Sequence, residues 1–255
     1  CLGARSAEVV CLAAHGDDQR IVGQGSGREN LFPRFLVQQR PEQNLLPATV
    51  EAGRAFGIPL SGTMAHSFIE AHASEPAAFE DFLRWHPGAG TLLIDTYDTA
   101  RGAERVVELV QRRPAGGSYV QAVRIDSGDL AAEARRVRGI LDHGGCGAVR
   151  IVLSGNLDEQ RIARLLGEGV PADAFGVGTS LDVSADAPAL DMAYKLQEYA
   201  GEPRRKRSTG KATWPGRKQV WRRHDAAGIM SGDCIGLETE AATRGTPLLV
   251  EVMRD

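Results

Sequence analysis

Long hydrophobic runs are missing from this sequence. Nowhere do its 255 residues approach the ~18 consecutive apolar residues of a bilayer-spanning helix, which excludes such a span. Cysteine is scarce, and Cys1, Cys11, Cys146 and Cys234 form no CxxC pair and no regular spacing. A disulfide framework and a zinc site are thereby excluded, and a reducing cytosol is the default setting. Strong charge of either sign is also lacking: the net charge is -3 and the pI about 6.1, against a nucleic-acid-binding protein as a whole. No basic, apolar leader opens the chain, which starts at Cys1 without an initiator Met and reads as the cut edge of a fragment.

What is present is the composition of a globular protein, with 42% hydrophobic and 25% charged residues. That excludes a disordered tail, a collagen-like repeat and a coiled-coil rod. Glycine is in excess at 30 residues, so backbone must turn tightly or approach a ligand closely at many points.

Residues 1–48 show little order beyond the apolar run Val9–Ala14. From Ala48 the chain reads as alternating strands and helices. Gly57–Ser61 is a weak strand, and Phe68–Trp85 has helical spacing interrupted at Pro76. Thr91–Ile94, Tyr119–Ile125, Ala148–Leu153 and Ala174–Val177 read as strands. Thr99–Arg113, Leu130–His143 and Asp158–Gly169 read as helices, the first with Val106, Val107, Leu109 and Val110 inward. Strands linked by helices at this spacing predict a parallel sheet covered on both faces, either doubly wound or closed into a barrel. Pro203–Arg223 breaks the pattern with nine basic residues and no acid. It reads as irregular β structure, and Leu237 and Leu248–Met253 as short strands after it.

The chemistry gathers at the strand ends. Gly62-Thr63-Met64-Ala65-His66, Asp95-Thr96-Tyr97-Asp98, Asp126-Ser127-Gly128-Asp129, Ser154-Gly155-Asn156 and Gly178-Thr179-Ser180 each follow a strand. Parallel α/β folds bind ligands beyond the carboxyl ends of their strands, so five polar loops predict one mouth. Ser154-Gly155-Asn156 and Gly178-Thr179-Ser180 can cradle a phosphate with backbone N–H groups and hydroxyls, or simply cap helices. Asp95 and Asp126 can bind Mg²⁺, hold ribose hydroxyls or stabilise a cationic transition state. Asp98 and Asp129 read instead as helix caps. Arg124, two residues before Asp126 and on the same strand face, can receive a planar carboxylate or form a structural pair with the acid. His66 is either a ligand-reaching ring or a buried structural histidine. Together these groups suggest a phosphosugar substrate without naming the reaction.

Several segments then resemble nicotinate phosphoribosyltransferases. They are Phe56 to Phe68 with its Gly62-Thr63-Met64-Ala65-His66 core, Leu93 to Thr99, Val123 to Leu130, Phe175 to Leu181, Tyr194-Lys195-Leu196, and Lys206 to Val220. The resemblance implies an irregular parallel α/β barrel of the type II phosphoribosyltransferase kind with a partial β-rich second domain. It implies an enzyme that transfers 5-phosphoribosyl from phosphoribosyl pyrophosphate to nicotinate, giving nicotinate mononucleotide for NAD biosynthesis. ATP would be the co-substrate, Mg²⁺ the cofactor, and a cytoplasmic homodimer without nucleic-acid or membrane partners the assembly.

Carried over by position, His66 resembles the histidine that ATP phosphorylates, and a neutral imidazole suits a nucleophile. Arg124 resembles the arginine on the pyridine substrate, with Thr63 beside it in substrate binding. Asp95 and Asp126 match acids near the ribose, pyrophosphate and metal, where carboxylates would stabilise an oxocarbenium-like transition state. Ser154, Gly155, Gly178 and Thr179 match the 5′-phosphate cradle. Thr49 stands where related nicotinamide enzymes place an Asp, and a neutral residue there would not repel a carboxylate.

Upstream of Thr49 the resemblance stops abruptly, and Arg34–Pro47 lacks the expected arginine motif. The expected organisation is a divergent or mis-framed segment over 1–48, the barrel over 49–190 and a basic β-rich segment over 191–255. The alternatives are a nicotinamide or quinolinate phosphoribosyltransferase, or an inactive phosphosugar-binding remnant.

Overall fold

The computed structural model describes residues 8–11, 45–47, 54–55, 62–87, 90–112, 120–184, 186, 195–240 and 245–251. Thr49, the Gly57–Ser61 strand and Met253 lie outside them. The chain divides into two units. One takes the described residues up to 186 together with Arg207–Lys211; the other takes 195–206 and the residues from Ala212 onward.

In the first unit, β1 (Glu8–Cys11) and β2 (Leu45–Pro47) come from the amino-terminal region. After them follow α1 (His66–Ala71), α2 (Glu75–Trp85), β3 (Gly90–Leu93), α3 (Thr99–Gln111) and β4 (Val120–Ile125). Next are α4 (Leu130–His143), β5 (Arg150–Ser154), α5 (Glu159–Gly167), β6 (Ala174–Val177) and the short α6 (Thr179–Asp182). The six strands form one parallel sheet in the order β2-β1-β6-β5-β4-β3. Strands β3 to β6 stand side by side in chain order, with α3, α4 and α5 carrying the crossovers. A doubly wound sheet would reverse direction about a central strand; this progression is that of a barrel wall, and β1 extends it past β6.

The strands form where apolar β-formers run together. Leu92, Leu93, Val123, Ile125, Ile151, Leu153, Phe175 and Val177 are all buried, so both faces of the sheet are covered. The helices pack one stripe each: Val106 and Leu109 of α3 are buried while Val107 and Val110 lie partly buried against the same core. Gly102 lets α3 lie directly on the sheet, since a Cβ there would stand 2.2 Å from the Ile94 carbonyl oxygen.

The helix starts explain the loop chemistry. Asp98 accepts from Arg101 N at 2.9 Å, Asp129 from Ala131 N and Ala132 N at 3.1 Å, and Asp158 from Arg161 N at 2.7 Å. Asp98 and Asp129 are therefore caps, as their positions suggested. Pro76 does not interrupt a helix but opens one: it stands in the first turn of α2 behind the Ser74 cap, and the break between α1 and α2 falls before it, at His72–Ser74. Proline is favoured there because the first-turn N–H has no helical acceptor.

Glu75, beside Pro76, is buried with one carboxylate oxygen accepting from Arg105 Nη1. Burial pushes its pKa up to about 7, against the opposing pull of Arg105 and with some help from Asp95 and Asp98. The folded state thus binds the Glu75 proton more tightly than the unfolded chain does. Its contribution to stability is complete at pH below ~4.5 and is lost as pH rises through about 7. Glu75→Gln, neutral at every pH, is expected to gain on the parent by up to about 3 kcal/mol between pH 5 and pH 8. Urea unfolding at the two pH values measures it; an advantage that does not grow with pH would show that Glu75 is charged throughout.

The second unit is β-rich. A tight hairpin joins β7 (Glu198–Tyr199) to β8 (Glu202–Pro203). An antiparallel sheet places β9 (Lys218–His224) between β10 (Met230–Leu237) and β11 (Thr246–Pro247). The last strand was expected from Leu248; it ends at Pro247, although Leu248 N still donates to Val220 O at 2.9 Å. Among the described residues no helix is long and apolar enough to cross a membrane.

Candidate active site at the strand ends

Register builds the site. Arg124 on β4 pairs with Leu93 of β3 and Val152 of β5. Asp95 therefore lies just past the end of β3, Asp126 just past the end of β4, and Ser154 at the end of β5. Ser154 in turn pairs with Gly176 of β6, two residues before Gly178.

Asp126 is the hub. Its Oδ1 accepts from Arg124 Nη2 at 2.9 Å and from Ser154 Oγ at 2.8 Å, and its Oδ2 accepts from Lys211 Nζ at 2.8 Å. Arg124 Nε donates to Ser154 Oγ at 2.8 Å, and Lys211 Nζ also reaches the Asp126 carbonyl at 2.6 Å. Burial alone would raise the Asp126 pKa, but the His66 ring beside it and the Arg124 and Lys211 charges hold it well below the usual carboxylate range.

Asp95 is buried one strand away. Its Oδ2 accepts from Asp126 N at 3.0 Å and from Ser127 Oγ, and its carbonyl accepts from Ser208 Oγ. Its Oδ1 accepts no hydrogen bond among the described residues. His66, the first residue of α1, points its Nε2 between the two acids, 3.9 Å from Asp95 Oδ1 and 3.7 Å from Asp126 Oδ2. Its Nδ1 lies 3.0 Å from Thr96 Oγ1.

Gly155 turns the chain after Ser154 with φ +99°. A Cβ there would stand 2.2 Å from the Asp126 carbonyl oxygen, so only glycine lets the loop approach the hub. The Ser154 hydroxyl is spent between Arg124 and Asp126. A phosphate at this loop would therefore meet backbone, with Gly178 and Thr179 on the neighbouring strand end. Thr63 stands apart in its bonding: its hydroxyl donates to the Thr91 carbonyl at 2.7 Å. Thr49 lies outside the described residues.

The structure thus brings His66, Asp95, Arg124, Asp126 and Ser154 into one bonded cluster. It adds residues that the sequence reading left out: Thr96 and Ser127 inside the recognised loops, and Ser208 and Lys211 from the basic segment. Arg207–Lys211 belongs to the first unit and is tied to its loops, Arg207 N donating to Thr96 O at 2.8 Å. The Gly210-Lys211 pair was the available signal, obscured by eight other basic residues in Pro203–Arg223.

The fit to Mg²⁺ is limited. Among the described residues no three His, Cys, Asp or Glu side chains converge to hold a metal. The Asp126 oxygens are taken by two cations and a hydroxyl, which leaves Asp95 Oδ1 as the carboxylate oxygen able to meet one. A metal held by this pair alone does not match the arrangement.

The model of the nicotinate phosphoribosyltransferase (NAPRTase) family matches residues 35–208, starting ahead of the motifs quoted above. The Mycobacterium tuberculosis protein nicotinate phosphoribosyltransferase pncB2 is 52% identical over 220 residues, covering 86% of this chain and 45% of its own length. The Bacillus subtilis nicotinate phosphoribosyltransferase is 34% identical over 201 residues, covering 76% of this chain and 41% of its own. The chain therefore spans less than half the length of these curated relatives. Among solved structures, nicotinate phosphoribosyltransferase from Porphyromonas gingivalis superposes with a TM-score of 0.60 at 22% identity, over 82% of this chain and 56% of that one. The Vibrio cholerae structure of the same name gives 0.56 at 22% identity, over 71% and 47%. At that identity the likeness is one of fold.

Proposed function

Because this chain belongs to the nicotinate phosphoribosyltransferase family, we propose that it transfers the 5-phosphoribosyl group of phosphoribosyl pyrophosphate to the ring nitrogen of nicotinate. The nicotinate mononucleotide formed would serve NAD biosynthesis. The observation that carries this reading is the Arg124–Asp126–Lys211 cluster, in which one half-buried acid fixes two cations at the mouth of a parallel sheet. Arg124 spends Nε on Ser154 and one Nη2 bond on Asp126, and its remaining N–H groups suit a nicotinate carboxylate.

In the reaction the bond from ribose C1 to pyrophosphate breaks, and the pyridine nitrogen forms the new bond to C1. Positive charge builds at the ribose between these events. Asp126, held ionised by its cations, and Asp95, fixed in advance by hydrogen bonds from Asp126 N and Ser127 Oγ, would stabilise it without reorganising. Ser154-Gly155 and Gly178-Thr179 would receive the 5′-phosphate through backbone N–H groups, and Thr63 would support the pyridine side. His66 would accept phosphate from ATP to couple hydrolysis to transfer. Mg²⁺ belongs to this reading as charge neutralisation on the substrate phosphates, which would have to supply its ligands. A cytoplasmic homodimer belongs to the same reading, supported by the family resemblance.

The test is a substrate panel with phosphoribosyl pyrophosphate and ATP. Product from nicotinate, with none from nicotinamide or quinolinate, is expected. Binding of phosphoribosyl pyrophosphate without turnover would instead favour a phosphosugar-binding remnant. Arg124→Ala should weaken nicotinate about 30-fold and phosphoribosyl pyrophosphate no more than about threefold; equal losses would remove the assigned role. His66→Ala should abolish ATP stimulation while some ATP-independent transfer survives.

A further inference from the structure

The two ring nitrogens of His66 are both covered. Nδ1 meets the hydroxyl of Thr96 at 3.0 Å, and Thr96 is completely buried. Nε2 is closed off from solvent between Asp95 Oδ1 and Asp126 Oδ2. The Thr96 backbone cannot yield easily, because its carbonyl is bound by Arg207 N. Yet the side chain keeps 18% of its surface exposed, and His66 opens α1, where a change of side-chain rotamer need not move the helix.

We infer that Thr96 is a positioning residue that latches His66 in a sheltered rotamer, from which the ring must swing out before it can react. The inference deepens the reading of His66 as the phosphate acceptor and rests on it. In that step a ring nitrogen presents its lone pair to the γ-phosphorus of ATP. The bond from that phosphorus to the bridging oxygen breaks, ADP leaves with the electron pair, and the other ring nitrogen keeps its proton. The attacking atom must come within about 3–3.5 Å of phosphorus. Neither nitrogen can do so while Thr96 covers one and the acids cover the other. The hydroxyl suits a latch because it accepts from a protonated Nδ1 and donates to an unprotonated one, holding the ring in either charge state.

The latch has a direct test on the 255-residue chain. Diethyl pyrocarbonate carbethoxylates accessible imidazole nitrogens, and peptide mass spectrometry reads each histidine separately. His66 should react more slowly than the exposed His86, His143 and His224. Thr96→Val keeps the buried volume and removes the hydroxyl, and should speed modification of His66 about fivefold. Thr96→Ser should behave as the parent does. Parent His66 reacting as fast as His224, or Thr96→Val leaving its rate unchanged, would overturn the latch.

Labelling with [γ-³²P]ATP separates this from the underlying reading. Faster labelling of His66 in Thr96→Val than in the parent, reversed in Thr96→Ser, would support both. Slower labelling in Thr96→Val would overturn the latch. Absence of label from His66 in all three proteins would overturn the acceptor role, with the carbethoxylation rates still deciding the latch.

Discussion

Asp126→Asn is expected to cost the fold about 3–4 kcal/mol at pH 7, the lower part of the usual penalty for breaking a buried ion pair, since this cluster is half-buried. The substitution leaves Arg124 and Lys211 facing each other across the space that the carboxylate charge occupied. Each has only 17% and 30% of its side chain exposed, so water compensates little. The loss should shrink on acidification, and its direction is fixed. The folded Asp126 binds its proton far more weakly than an unfolded Asp, so its stabilisation is present above pH ~3.9 and is lost as pH falls toward the depressed folded value. Urea unfolding at pH 7 and pH 3.5 should therefore show a gap between parent and variant that narrows at the lower pH. A pH-independent gap would mean that the carboxylate acts by shape and hydrogen bonding rather than charge.

Gly155→Ala is expected to be nearly as damaging, by a different route. A Cβ at this position is 2.2 Å from the Asp126 carbonyl oxygen and 3.1 Å from Lys211 Nζ. Lysine can retreat, but the carbonyl belongs to the chain between β4 and α4 and cannot. The φ of +99° adds strain that L residues rarely accept. A loss of about 3 kcal/mol or more is expected, together with weaker binding of phosphoribosyl pyrophosphate as the Ser154 loop is pushed from the mouth. Thermal unfolding and equilibrium binding on the same variant check both parts. Unchanged stability would mean that the loop relaxes freely, and the close approach would then have no structural weight.

Legibility in the sequence followed the range of the interactions. Strands β3 to β6 and helices α3 to α5 were readable because each is a local pattern, an apolar run or a 3.6-residue stripe ended by an Asp or Gly. The acids at the ends of β3 and β4 were readable for the same reason, as was the capping by Asp98 and Asp129. The start of α2 was misplaced because Pro76 breaks a helix in its interior and favours one in its first turn, and spacing alone does not separate the two. Lys211 was missed because its partners lie far up the chain, and its one local signal, the preceding Gly210, is shared by Gly216-Arg217 in the same basic segment. Thr96 was in view within Asp95-Thr96-Tyr97-Asp98 but had no visible role until His66 was placed beside it. Ser154 was read as part of the phosphate cradle; its hydroxyl is held between Arg124 and Asp126, a use that only the pairing of β4 with β5 reveals.

The bonds that complete the mouth also impose an order on its assembly during synthesis. Ser208 meets a carbonyl 113 residues earlier in the chain, and Lys211 meets a carboxylate 85 residues earlier. A ribosome adding about 5–20 residues per second needs roughly 4–17 s to pass from Asp126 to Lys211. Throughout that interval the nascent β4 carries Asp126 with Arg124 as its available cation, and the remaining counter-charge arrives only afterwards. The mouth should therefore be among the last parts of the nascent chain to become protease-resistant, well after α3 and α4 have closed over the sheet.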